Sequence, residues 1–93
     1  MSDTSKGDEK SHHLTPGGAP DADYQRNWGI LEGARFPVAP GDNERGRRAL
    51  RLRGHGTSKT ERAKILDVVA RRCPALKKVV DLAREEDKKA GLI

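Results

Sequence analysis

Between residues 58 and 90 the chain is densely charged, and its large apolar side chains recur in steps of one, three and four residues. Ile65, Leu66, Val69 and Cys73 form one such stripe, and Leu76, Val79, Val80 and Ala83 repeat the i, i+3, i+4, i+7 pattern. Spacing of this kind predicts two amphipathic helices whose stripes must be buried against something. The first has a marked start. Ser58-Lys59-Thr60-Glu61 is a capping box, in which the serine hydroxyl and the glutamate carboxylate each satisfy a backbone N–H that the helix leaves orphaned. Pro74 disfavours helical geometry at Cys73 yet suits the first turn of a new helix, so the pair marks either a break or a kink. Helices are therefore expected at about 58–73 and 74–90, the second closed by Gly91 with Lys88 and Lys89 in its last turn.

A further helix at about 43–53 is predicted to begin at Asp42 or Asn43, with Glu44 in its first turn. Ala49, Leu50 and Leu52 are its inward residues, and Gly46 costs it about 1 kcal/mol relative to alanine. Upstream, residues 24–38 hold all three aromatic residues of the chain, Tyr24, Trp28 and Phe36. Glu32-Gly33 reads as a turn and Pro37 restricts Phe36 to extended geometry, which predicts a short extended segment or small hairpin ending at Pro40-Gly41. Trp28, Leu31 and Phe36 are expected to lie across the helices as a lid. Residues 1–23 are acidic, rich in glycine and proline, and hold one large apolar side chain besides Met1, Leu14, so a disordered arm is expected there. His12-His13, in this arm, lack the further ligands of a metal site. The fold class predicted is mostly α: a small three-helix domain over residues 24–93, preceded by the extended aromatic segment and the arm.

Charge narrows the functional classes. The formal net charge is +5, but residues 45–78 set twelve Lys/Arg against only Glu61 and Asp67. Clustering of this kind is the electrostatic footprint of a polyanion partner. Arg45, Arg47, Arg48, Arg51, Arg53, Lys59, Arg62 and Arg72 are the residues expected to contact phosphates, without base-specific readout. A helix-turn-helix outline over 44–73 lacks the usual preceding helix. The loop Gly54-His55-Gly56-Thr57-Ser58 leads straight into a capped helix start, where backbone N–H groups and the positive dipole end favour an anion. It also reads simply as a turn between two helices, and it is not a nucleotide-hydrolysing phosphate loop, whose glycine spacing and preceding strand are missing.

No nucleophile, base and orienting group assemble from the sequence, so no enzyme activity, cofactor, metal or small-molecule substrate is expected. The single cysteine, Cys73, excludes an internal disulfide, fits a reducing compartment and is expected as a small buried hydrophobe. No apolar run reaches membrane-spanning length and no leader pattern opens the chain, so a soluble, cytoplasmic protein is expected. The competing class is a protein-interaction adaptor, docking through Trp28, Phe36 and the Leu76/Val79/Val80/Ala83 face onto a partner or a second copy.

Four short runs add a resemblance. Phe36-Pro37-Val38, Arg47-Arg48-Ala49-Leu50, His55-Gly56-Thr57 and, after a charged helix, Arg71-Arg72-Cys73-Pro74 resemble the pattern of a small domain of unknown function found in phage and prophage-type proteins. That pattern runs aromatic-Pro-Ile, Arg-Asn-Ala-Leu, His-Gly-Thr, basic pair, aromatic-Pro. The chain departs from it at Pro40-Gly41, which enlarges the first loop, and at Cys73, which stands where the family has an aromatic residue. The resemblance implies a mobile-element or virion-associated setting, such as the interior of a phage-type particle or a virion-assembly adaptor, and it supplies no catalytic residue.

Overall fold

The computed structural model describes residues 21–93. The acidic arm expected over residues 1–23, His12-His13 included, lies outside the described residues except for positions 21–23. The described part is mostly helical, in the order α1 (Ala22–Trp28), a 3-10 turn (Glu32–Ala34), α2 (Asn43–Arg51), α3 (Lys59–Arg72), a second 3-10 turn (Pro74–Leu76) and α4 (Lys77–Lys89). Among the described residues no helix is long and apolar enough to cross a membrane.

The aromatic segment differs from the extended reading in its first half. Asp21 caps a helix, its carboxylate accepting from the Tyr24 N–H at 2.8 Å, so Tyr24 and Trp28 stand on α1. Seven residues are too few to be helical on their own. What holds them is Tyr24, 1% exposed, whose hydroxyl donates to Asp42 Oδ2 at 2.6 Å and accepts from the Ala39 N–H at 2.9 Å. Burial first, and the bond to Asp42 second, push the Tyr24 pKa well above its ordinary value.

The second half turns back on itself as a minimal hairpin, with Leu31 and Arg35 forming an isolated antiparallel bridge across Glu32–Ala34. Here the chain departs from expectation at Phe36, which is not extended: its φ is +55°, and that of Ala34 is +59°. Left-handed backbone at a bulky residue costs roughly 1–3 kcal/mol and must be over-determined by its surroundings. The determinants are the Ile30 and Leu31 N–H groups, both donating to the Arg35 carbonyl, and Val38, whose N–H donates to the Trp28 carbonyl at 3.0 Å. These bonds bring Val38, fully buried, back beneath α1.

The other helices follow their local signals. Asp42 caps α2 through the Arg45 N–H at 3.1 Å. Ser58 and Glu61 form both bonds of the capping box on α3. At Cys73 the backbone leaves helical geometry (φ −128°, ψ 74°), so the Cys73-Pro74 pair breaks the helix rather than bending it, and Pro74 opens the 3-10 turn that feeds α4.

Leu76, Val80 and Ala83 are buried as expected, but Val79 is 44% exposed, and the next buried position along the stripe is the carboxylate Asp87. The core unites Leu76, Val80 and Ala83 with Ile65, Leu66 and Val69 of α3, Ala49 and Leu50 of α2, and Ile30, Leu31 and Val38 of the hairpin. Each large member adds about 1.5–3 kcal/mol by leaving water. Cys73 is fully buried, and burial raises its thiol pKa.

Candidate nucleic-acid interface

The residues expected to meet phosphates separate into two groups. Arg53, Arg62 and Arg72 turn inward. Asp87, 2% exposed, accepts a two-pronged contact from Arg53, Nε to Oδ2 at 2.7 Å and Nη2 to Oδ1 at 3.0 Å, and a third from Arg62 Nη1 at 3.3 Å. The remaining Arg53 Nη1 donates to the Leu50 carbonyl at 2.7 Å. Arginine's planar fork suits this arrangement, and the carboxylate gains enough charge-assisted bonds to offset its desolvation. The Arg53 fork, before any other influence, holds the Asp87 carboxyl below the usual aspartate range, and the same bond raises the Arg53 pKa. Gly54 makes room for the network: a Cβ there would sit 2.5 Å from Arg62 Nη2.

Arg72 is also committed, although it pairs with no acid among the described residues. Its Nη1 donates to the carbonyls of Trp28 (2.8 Å) and Val38 (3.0 Å), and its guanidinium lies 5.7 Å from the Trp28 ring centre. Arg72 thus fastens α1 and the hairpin to the end of α3 through hydrogen bonds and a cation–π contact. Arg72→Met keeps the aliphatic stem but leaves the buried Val38 carbonyl without this partner, so the expected loss is about 2 kcal/mol of unfolding free energy. Urea titration followed by Trp28 fluorescence measures it, and a loss below about 0.5 kcal/mol, the range of ordinary surface substitutions, refutes the fastening role.

Arg47, Arg48 and Arg51 remain directed outward. All three are exposed, and none of their side chains has a hydrogen bond or ion pair with another described residue. Helical geometry places them with Glu44 on the side of α2 opposite the buried Gly46, Ala49 and Leu50. Arg45 is half-buried at the edge of that face, and Lys59 is exposed at the start of α3.

The glycine-flanked loop is less open to an anion than its sequence implies. The Ser58 N–H donates to Glu61 Oε1 at 2.9 Å, so a carboxylate of the chain itself stands at the helix start. Glu61 is further paired with Arg35 at 2.9 Å, and the Thr57 hydroxyl donates to the Arg53 carbonyl. The bond from Ser58, then the Arg35 charge, hold the Glu61 carboxyl below its ordinary value. Gly54, His55 and Gly56 are exposed in the turn, and Gly56 takes a left-handed φ of +67°.

Beside the loop, an open cleft of about 420 Å³ separates α2 from the hairpin. Phe36, Pro37, Ala49 and Leu52 line it with apolar surface, while Arg45, Arg48 and His55 supply polar lining. A second groove of about 350 Å³ lies between α2 and α4, lined by Arg47 and Arg51 on one side and by Val79 and Leu82 on the other.

Sequence reasoning missed Asp87, Arg35 and the cleft. Asp87 carries a readable signal, because it continues the Leu76, Val80, Ala83 spacing by a further four residues. The cleft carries none, since it depends on the left-handed turn at Phe36. No family model, curated protein or solved structure matches the chain.

Proposed function

We propose that this chain is a non-enzymatic module that binds nucleic acid mainly through phosphate contacts. The observation that carries the reading is the outward face of α2, where Arg47, Arg48 and Arg51 are exposed and unpaired by any described acid, with Arg45 alongside. Arg53, Arg62 and Arg72, held inside, take no part in meeting phosphates. Three to five cations on one short helix and its neighbourhood give an affinity that is sequence-tolerant and steeply dependent on salt.

Fluorescence anisotropy with labelled oligonucleotides over a salt series tests this. The triple variant Arg47→Gln/Arg48→Gln/Arg51→Gln should weaken binding roughly tenfold per arginine at about 50 mM salt and flatten the log–log slope by about 0.7–0.9 for each phosphate no longer neutralised. Absence of binding by the unmodified chain at about 50 mM salt overturns the proposal.

One observation favours a second reading, a protein-interaction or phage-type virion-assembly adaptor. Val79 and Leu82 are 44% and 64% exposed on α4, beside the groove that Arg47 and Arg51 share. Exposed aliphatic residues next to arginine are a composition interfaces use. Light scattering that shows concentration-dependent self-association, abolished by Leu82→Glu, supports that reading over the first.

A further inference from the structure

We infer that the cleft between α2 and the hairpin seats an unpaired base, so that the nucleic acid this module takes is single-stranded. The inference rests on the phosphate-binding reading above and adds the strand form. Its first support is composition: the cleft offers the Phe36 ring and Pro37 together with Ala49 and Leu52, an apolar surface against which a flat heterocycle stacks. Its second is charge complementarity. Arg48 lines the cleft and also belongs to the outward arginine face, so one side chain joins the base seat to the phosphate track of Arg47 and Arg51. Arg45 lies one helical turn before Arg48 on the same side of the opening.

The third support is backbone strain. Ala34 and Phe36 both line the cleft and both hold left-handed φ angles, of +59° and +55°. Non-glycine outliers of this kind concentrate at binding sites, and the cleft owes its hairpin wall to these two residues. The form of the cleft also selects among anionic ligands. It is open rather than enclosed, which suits a planar ring with a solvated backbone and not an acyl chain, which needs deep burial. Duplex bases are stacked and paired, so only an unstacked strand can present one here.

The test uses the full chain and three labelled probes of equal charge: a short oligothymidylate, an abasic strand and a duplex. The oligothymidylate is expected to bind about tenfold more tightly than the abasic strand, the effect of stacking one base. Phe36→Leu, which keeps apolar bulk, should remove that advantage while leaving the abasic affinity and the salt slope unchanged. Arg48→Gln should weaken all three. If Phe36→Leu unfolds the chain, amide resonances of the unmodified protein decide: thymidine monophosphate should shift Phe36, Ala49 and Leu52, and shifts confined to α4 overturn the seat. Equal affinity for oligothymidylate and abasic strand, with a steep salt slope, overturns the base seat and leaves the phosphate reading standing. Binding of none of the probes overturns both, and a Phe36→Leu chain that keeps the preference for oligothymidylate overturns the seat.

Discussion

Asp87→Asn is expected to lower the unfolding free energy by about 3–4 kcal/mol, the cost of removing one partner from a buried ion pair. Arg53 and Arg62 each have only 16% side-chain exposure, so neither guanidinium regains full hydration when the carboxylate is removed. An asparagine in its place would point an amide N–H at one of them or offer a single neutral acceptor to both. A chain of this size holds about 5–10 kcal/mol in total, and 1 kcal/mol moves its melting point by about 4–8 °C. A fall of more than about ten degrees, followed by circular dichroism, is therefore the expected result. Asp81→Asn is the control: Asp81 is exposed and its pairing with Lys77 at 3.3 Å is a surface contact, for which less than about 0.5 kcal/mol is expected. A loss equal to the control would show that the Asp87 network does not stabilise the fold.

The same carboxylate sets an acid limb. Because the folded pKa of Asp87 lies below the ordinary 3.8, its contribution is complete above that value and disappears as pH falls through the folded one. The stability gap between the unmodified chain and Asp87→Asn should stay constant from neutral pH down to about 4 and narrow below it. Urea titrations at stepped pH read this directly, and taking the difference cancels the Glu61 carboxyl, which is common to both chains.

Gly46→Val is expected to cost about 3 kcal/mol or more, although the position is inside a helix where glycine is the poorer choice by propensity. A Cβ at position 46 would stand 2.7 Å from Leu76 Cδ1 and 3.0 Å from Cys73 Sγ, both of them buried and unable to move into solvent. Glycine lets α2 approach the break between α3 and α4, and this close approach offsets the propensity loss. Gly46→Ala should lose about 1 kcal/mol, since its helix gain of similar size opposes the clash. In a double-mutant cycle Gly46→Ala with Leu76→Val should cost less than the sum of the two, because the shorter side chain vacates the space. Strict additivity would show that the helices separate instead of sharing it.

Local signals are the legible part of this fold. The capping box at Ser58 and Glu61, the cap at Asp42 and the proline after Cys73 each act within a few residues, and each is found where its chemistry places it. The cap at Asp21 escapes a reading of the sequence because positions 21–23 resemble the end of an acidic arm. Val79 departs from its expected place because the buried face of α4 is centred on Leu76, Val80, Ala83 and Asp87, which leaves Val79 at its edge. The candidate interface is legible only as a surplus of charge. Which cations face outward depends on pairings such as Arg53 with Asp87, thirty-four positions away, and Arg72 with two carbonyls, and no count of residues resolves those.

Gly54 shows what such pairings demand of a sequence. It has no left-handed φ to explain it, and the atoms that exclude a side chain there are those of the Arg62 guanidinium held on Asp87. In evolutionary terms, positions 54, 62 and 87 are bound to one another. A descendant that acquires a side chain at position 54 must displace the Arg62 guanidinium and weaken its hold on Asp87, which Arg53 keeps, so a change at 54 is felt first at 62.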